Sequence, residues 1–215
     1  MSTRSYSIVY SFKWDKDHIN NQLVGYSDAS HAGDKCSRKS TTSSLFMFLG
    51  GPIYWNSRVC KVSAISSTEA EFVSMVDAGH DLICIRQAMI ILGLVDRRYS
   101  DKYVPLCNIW IRKPDKCQCY QKFEEKDKDG YTNLHPLRKF PIMADNTPAI
   151  YLSHSLACHG RTRYLGSRIG EANTLVNQKW ISYEYLETKE MLADILTKPV
   201  TPAVMNYLIP KILKK

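Results

Sequence analysis

No stretch of eighteen consecutive apolar residues occurs in the chain, which excludes a membrane-spanning helix. The opening residues, Met1-Ser2-Thr3-Arg4, lack the apolar core of a signal peptide, so the expectation is an intracellular protein with no membrane partner. Paired Cys-x-x-Cys spacings are missing as well. The seven cysteines are odd in number and irregularly placed, which reads as reduced thiols and not as a disulfide framework. Cys107, Cys117, Cys119 and His135 form no zinc knuckle for the same reason. Neither an internal repeat nor a low-complexity tract interrupts the 215 residues, and an apolar fraction of 44% is enough for one packed domain carrying an insertion. Acidic residues are in deficit, 21 against 29 Lys and Arg, for a net charge of +8. A basic balance suits a phosphate-backbone binder, although a merely basic surface gives the same count.

The few acids that are present fall at telling places. Asp28 ends the strand-like run Leu23-Val24-Gly25-Tyr26-Ser27, and Asp145 ends a second, Phe140-Pro141-Ile142-Met143-Ala144. Glu71 lies at the start of a helix whose apolar residues Phe72, Met75, Val76, Gly79, Leu82, Ile83, Met89 and Ile90 recur at helical spacing, from about Ser67 to Leu92, with Gly93 as its stop. Asp194 lies in the first turns of a late helix in which Thr188 is the expected cap and Pro199 the terminator. Taken singly, each acid has an ordinary explanation. Asp28 and Asp145 fit turn chemistry, Glu71 fits a capping box with Thr68, and Asp194 complements a helix dipole. Ser66 and Glu69 form a competing capping box, which leaves Glu71 free for another task. Taken together, Asp28, Glu71, Asp145 and Asp194 are expected to converge. Four clustered carboxylates repel one another unless cations sit among them.

The remaining pattern reads as a strand from Ser44 to Leu49, a Gly50-Gly51 hairpin, and a strand opening on Pro52. A charged segment follows, then a helix capped at Thr147-Pro148, a polar helix from about Arg163 to Asn177, and an alternating strand from Trp180 to Leu186. Order and composition call for one mixed sheet with helices on its faces.

Several blocks resemble one family. Gly25-Tyr26-Ser27-Asp28-Ala29, Leu49-Gly50-Gly51-Pro52-Ile53-Tyr54-Trp55, Ala64-Ile65-Ser66-Ser67-Thr68-Glu69-Ala70-Glu71-Phe72, Asp145-Asn146 and Leu192-Ala193-Asp194-Ile195-Leu196-Thr197-Lys198-Pro199 are similar to the ribonuclease H domain of copia-type retrotransposon Pol polyproteins. The resemblance implies a ribonuclease H-like α/β fold, with a mixed five-stranded sheet, strands 1–3 antiparallel and helices on both faces. It divides the chain into a connection segment over 1–22, the domain over 23–202 with an insertion at about 95–139, and a tail over 203–215.

The implied activity is metal-dependent endonucleolytic cleavage of the RNA strand of RNA–DNA hybrids during reverse transcription. The catalytic and metal-binding acids become Asp28, Glu71, Asp145 and Asp194, holding two Mg²⁺ ions, with Mn²⁺ as the alternative and no small-molecule cofactor. Arg38, Lys39, Ser40, Arg161 and Arg163 are the expected nucleic-acid contacts. The expected partners are the hybrid and a reverse transcriptase domain of the same polyprotein, in a cytoplasmic particle or the nucleus. The family's usual histidine block survives only in part, as His159-Gly160-Arg161-Thr162-Arg163-Tyr164, its second histidine and its aspartate being lost. This motivates a rival expectation, a decayed or domesticated module that binds nucleic acid or protein without cutting.

Overall fold

The computed structural model describes residues 5–10, 23–33, 38–60, 64–91, 140–155, 164–177 and 181–214. Alternating residues from Leu23 onward build strand β1 (Val24–Ser30), which pairs antiparallel with β2 (Thr41–Phe48). β2 in turn pairs antiparallel with β3 (Gly51–Val59). The hairpin turn is Leu49-Gly50, one residue earlier than the expected Gly-Gly pair, and both residues have positive φ, at 53° and 78°. Two left-handed residues match the twist of a two-residue hairpin. Gly51 belongs to the strand because the Tyr10 ring packs on it, 2.8 Å from where a Cβ would stand.

Helix α1 (Ser67–Ile91) occupies the span its periodicity predicts, while Gly93 lies outside the described residues. β4 (Phe140–Ala144) then runs parallel to β1, and β5 (Ile181–Tyr185) parallel to β4. Between them lie α2 (Thr147–His154) and α3 (Gly166–Asn177). A 3₁₀ turn (Thr188–Glu190), the four-residue α4 (Asp194–Thr197) and α5 (Pro202–Ile212) complete the described chain. The sheet order is β3-β2-β1-β4-β5, with β2 running against the other four. The sheet is mixed and five-stranded and antiparallel through its first three strands, as expected.

Alternation along β2 feeds two cores. Phe46 and Phe48 pack with Phe72, Val73, Met75 and Val76 of α1 and with Ile169 and Ala172 of α3. Leu45 and Met47 face the other way, against Leu192 and against Leu208 and Ile212 of α5. Helices therefore cover both faces of the sheet. Each fully buried side chain such as Phe46 or Phe72 contributes about 1.5–3 kcal/mol by leaving water.

Two caps differ from expectation. Asn146, not Thr147, caps α2, its side chain accepting from Ala149 N–H at 2.9 Å. Asn146 sits where the backbone is still extended, and Thr147 is already helical. Thr188 does not cap the helix bearing Asp194. It opens the separate 3₁₀ turn, and α4 begins at Asp194 with no side-chain cap.

Candidate metal centre

β1 and β4 are parallel neighbours, and the crevice beyond the carboxyl ends of such strands is where an α/β sheet exposes a site. Their register pairs Gly25 with Ile142 and Tyr26 with Met143, a constant offset that sets Asp28 level with Asp145. Asp28 does not end its strand. β1 continues two residues further, to Ser30, so its carboxylate springs from rigid ladder backbone. Asp145 is the residue immediately after β4.

Glu71 arrives from the first turns of α1, because the other glutamate is engaged elsewhere. Glu69 accepts from Ile65 N–H at 2.6 Å, while Ser66 Oγ accepts from Glu69 N–H at 3.3 Å. The capping box thus consumes Glu69 and releases Glu71.

The three carboxylates of Asp28, Glu71 and Asp145 each offer an oxygen within 4.8 Å of the others. Asp28 is 2% and Glu71 7% exposed, and Asp145 is half-buried. Burial pushes the Asp28 carboxyl up to about 6. The Thr197 hydrogen bond opposes that rise, the Asp194 charge adds to it, and Lys198 counteracts it. Glu71 is pushed up to about 9, first by burial and then by the Asp28 and Asp145 charges. Its Oε2 is buried and has no hydrogen-bond partner. A buried, unpartnered oxygen on one of three grouped carboxylates fits a cation, and an all-oxygen donor set fits a hard one such as Mg²⁺.

Around the acids the chain supplies its own supports. Ser74, one helical turn after Glu71, donates to the Asp28 carbonyl at 2.7 Å and holds the strand against α1. Ser43, opposite Asp28 on β2, donates to Ala193 O at 3.1 Å and so ties the start of α4 to the sheet. Thr197 donates to Asp28 Oδ2, and Thr188 to Asp145 Oδ2 at 2.9 Å. Thr188 stands out in the sequence only as an expected helix cap and the other hydroxyls not at all, although the i+3 spacing of Glu71 and Ser74 places them on one helix face.

Asp194, expected as the fourth member, does not share the three-carboxylate grouping. It is 6% exposed, and its Oδ1 lies 2.8 Å from Lys198 Nζ, one turn along the chain. The local ion pair takes up the charge that was expected to join the others. Lys198 sits in the same block of sequence as Asp194 and escapes notice because a lysine at a helix end is ordinary.

Among the expected nucleic-acid contacts, Arg38 and Lys39 are exposed, in the loop leaving the site end of β1. Arg38 has a positive φ of 54°. Ser40, in contrast, is 4% exposed. Its hydroxyl accepts from Ala32 N–H at 3.2 Å, and its carbonyl accepts from Cys60 N–H at 2.7 Å. It braces the loop and presents nothing to a ligand. Arg161 and Arg163, like the cysteines and histidine weighed for zinc, lie outside the described residues. His31 is a solvated loop residue, and Trp55 is 57% exposed on the edge strand.

No protein-family model matches the chain. Over 178 residues, 83% of its length, it is 30% identical to the retrovirus-related Pol polyprotein from transposon TNT 1-94 of Nicotiana tabacum. Over 190 residues, 88% of its length, it is 25% identical to the corresponding polyprotein from transposon RE1 of Arabidopsis thaliana. The chain spans about a tenth of the length of these curated relatives, 10% in each case. It is thus homologous to one segment of transposon-derived, retrovirus-related Pol polyproteins. Among solved structures it is similar to LC11-RNase H1, crystallised in complex with an RNA/DNA hybrid. That likeness has a TM-score of 0.46 and 9% identity, covering 82% of this chain and 94% of the other.

Proposed function

We propose that the chain is a metal-dependent endonuclease that hydrolyses the RNA strand of RNA–DNA hybrids, as a segment of a retrotransposon polyprotein that also carries the reverse transcriptase. The observation that carries this reading is the convergence of Asp28 from within β1, Asp145 from just after β4 and Glu71 from the first turns of α1, with Glu71 Oε2 buried and unpartnered. The similarity to Pol polyproteins supports the same reading from a separate direction.

Asp28, Glu71 and Asp145 would hold Mg²⁺, or Mn²⁺ in its place, with Asp194 as a further oxygen donor. Such ions, when bound, supply an activated water and neutralise charge on the phosphate. The chain's own contribution is positioning. Thr197 fixes one oxygen of Asp28, and Ser74 fixes its backbone. Thr188 fixes one oxygen of the half-buried Asp145, which stands on the open side of the group. Burial of Asp28 and Glu71 keeps water from competing for their oxygens. Arg38 and Lys39 lie at the same end of the sheet and would track the phosphate backbone, while the 2′-hydroxyls of the RNA strand give a basis for choosing it.

A labelled RNA–DNA hybrid incubated with the chain and Mg²⁺ tests the proposal, with duplex DNA of the same sequence as control. Hybrid cleavage that falls at least about 100-fold in Asp145→Asn, with hybrid binding retained, is the expected result, in line with losses when a transition-state contact is removed. Binding without cleavage by the unmutated chain would instead establish the non-cutting module. Cleavage of duplex DNA alone would place the activity with DNA-cutting relatives of the fold.

A further inference from the structure

Asp194 and Lys198 pose a problem that the cation-binding reading leaves open. A carboxylate 6% exposed, near enough for its charge to act on Asp28, is held at 2.8 Å by an ammonium group one turn along the chain. The ammonium also acts on the rest of the site, since its charge favours the ionised forms of both Asp28 and Glu71. Lys198 is therefore near enough to the whole acidic group to serve it as a cation. Its side chain is 42% exposed, so a path to solvent is open to it, and its four-carbon stem gives it reach. Thr197, the preceding residue, holds Asp28 by its hydroxyl.

We propose that Lys198 is the resident counter-cation of this site, pairing with Asp194 in the cation-free chain and competing with divalent ions for that carboxylate. Resting on the cation-binding reading, the proposal adds an exchange to it. A divalent ion entering among Asp28, Glu71 and Asp145 gains Asp194 as a donor only when the ammonium swings out. Two cations cannot occupy the same small volume without strong repulsion, so the lysine leaves as the ion arrives. Lys198 is thus a positioning residue, acting through Asp194. It spares the cation-free fold an unpaired, buried Asp194, at the expense of some cation affinity.

Mn²⁺ titration of the whole chain by calorimetry, with Mg²⁺ in parallel, tests this without reference to cleavage. Lys198→Gln is expected to bind Mn²⁺ more tightly by roughly two- to fivefold, the worth of a partly exposed ion pair. Lys198→Arg keeps the charge and should retain the affinity of the unmutated chain. In the double variant Lys198→Gln with Asp194→Asn the gain should vanish, because the carboxylate being contested is gone. Weaker or unchanged binding by a folded Lys198→Gln, judged by its circular dichroism, overturns the proposal while leaving the cation site standing. No binding by the unmutated chain overturns both.

Discussion

Glu71 is the residue whose removal should say most about this site, because its proton and a cation compete for the same oxygen. In the native chain its carboxyl is pushed up to about 9 by burial and by Asp28 and Asp145, whereas in an unfolded chain it titrates near about 4.3. Between those values the folded state holds a proton that the unfolded state has released. Stability of the cation-free protein must then fall as pH rises, by up to about 1.4 kcal/mol per pH unit for this group. Asp28, pushed up to about 6, adds to the slope between about pH 4 and 6 only. The window from pH 6 to 8 is therefore governed by Glu71 and amounts to as much as about 3 kcal/mol. That is a large part of the 5–15 kcal/mol that holds an ordinary domain together.

Glu71→Gln keeps the shape and removes the titration. Urea denaturation followed by circular dichroism, in EDTA at half-unit steps from pH 5 to 8.5, should show the unmutated chain losing stability and the variant staying nearly level. The two curves should agree near pH 5 and separate by a few kcal/mol at pH 8, with the variant the more stable. Mg²⁺ at 100 times its dissociation constant should add about 2.7 kcal/mol to the unmutated chain. Its effect should grow with pH as the carboxyl gives up its proton, and be smaller in the variant. Parallel slopes for the two proteins across pH 6–8 would refute the assignment of a high-affinity proton to Glu71, and with it the description of the site as strained without a cation.

Thr197→Val should raise the proton affinity of Asp28, since the lost hydrogen bond favours the ionised form; the acid limb of Mn²⁺ binding, followed by calorimetry from pH 5 to 7, should move upward. Gly79→Ala should destabilise the fold by about 1–3 kcal/mol in urea, despite about 1 kcal/mol of better helix propensity, because the new Cβ meets Leu175 Cδ1 at 2.9 Å and Tyr183 Oη at 3.0 Å. The Tyr183 hydroxyl is bonded to Met75 O at 3.1 Å and cannot retreat without losing that bond, so a stabilised variant would contradict the packing described.

What was legible in the sequence follows from how local its cause is. The span of α1 is set by periodicity and appears where expected, and the choice of Glu71 over Glu69 follows from two overlapping capping boxes, one of which is occupied. The sheet order is legible only through the family resemblance, since nothing in β1 alone announces β4 as its parallel partner 117 residues later. Ser40 was misread because a serine beside Arg38 and Lys39 looks like a backbone contact, whereas burial at the loop base turns its hydroxyl inward. The Asn146 cap was missed by one residue because Asn, Thr and Pro in a row satisfy two registers equally. Lys198 was invisible for a different reason. Beyond its pairing with Asp194, its charge reaches Asp28 and Asp145, which come from other elements of the chain.

These acids face a common difficulty and meet it by separate means. Burying carboxylates without cations costs several kcal/mol each unless something neutralises them. Glu71 is answered by a proton, Asp28 in part by the Thr197 hydroxyl, and Asp194 by the Lys198 ammonium. A cation held immovably by packing in the middle of the group would also neutralise them, and would close the site to an ion. The proton and the ammonium differ from it in being replaceable. Each can leave for solvent at neutral pH, one by ionisation and the other by rotation of a half-exposed side chain. Cation binding at such a site must then release protons and strengthen as pH rises, so that affinity, stability and pH are one linked quantity. The fold is thereby kept stable enough to form without the ion while the oxygens that would hold it stay available.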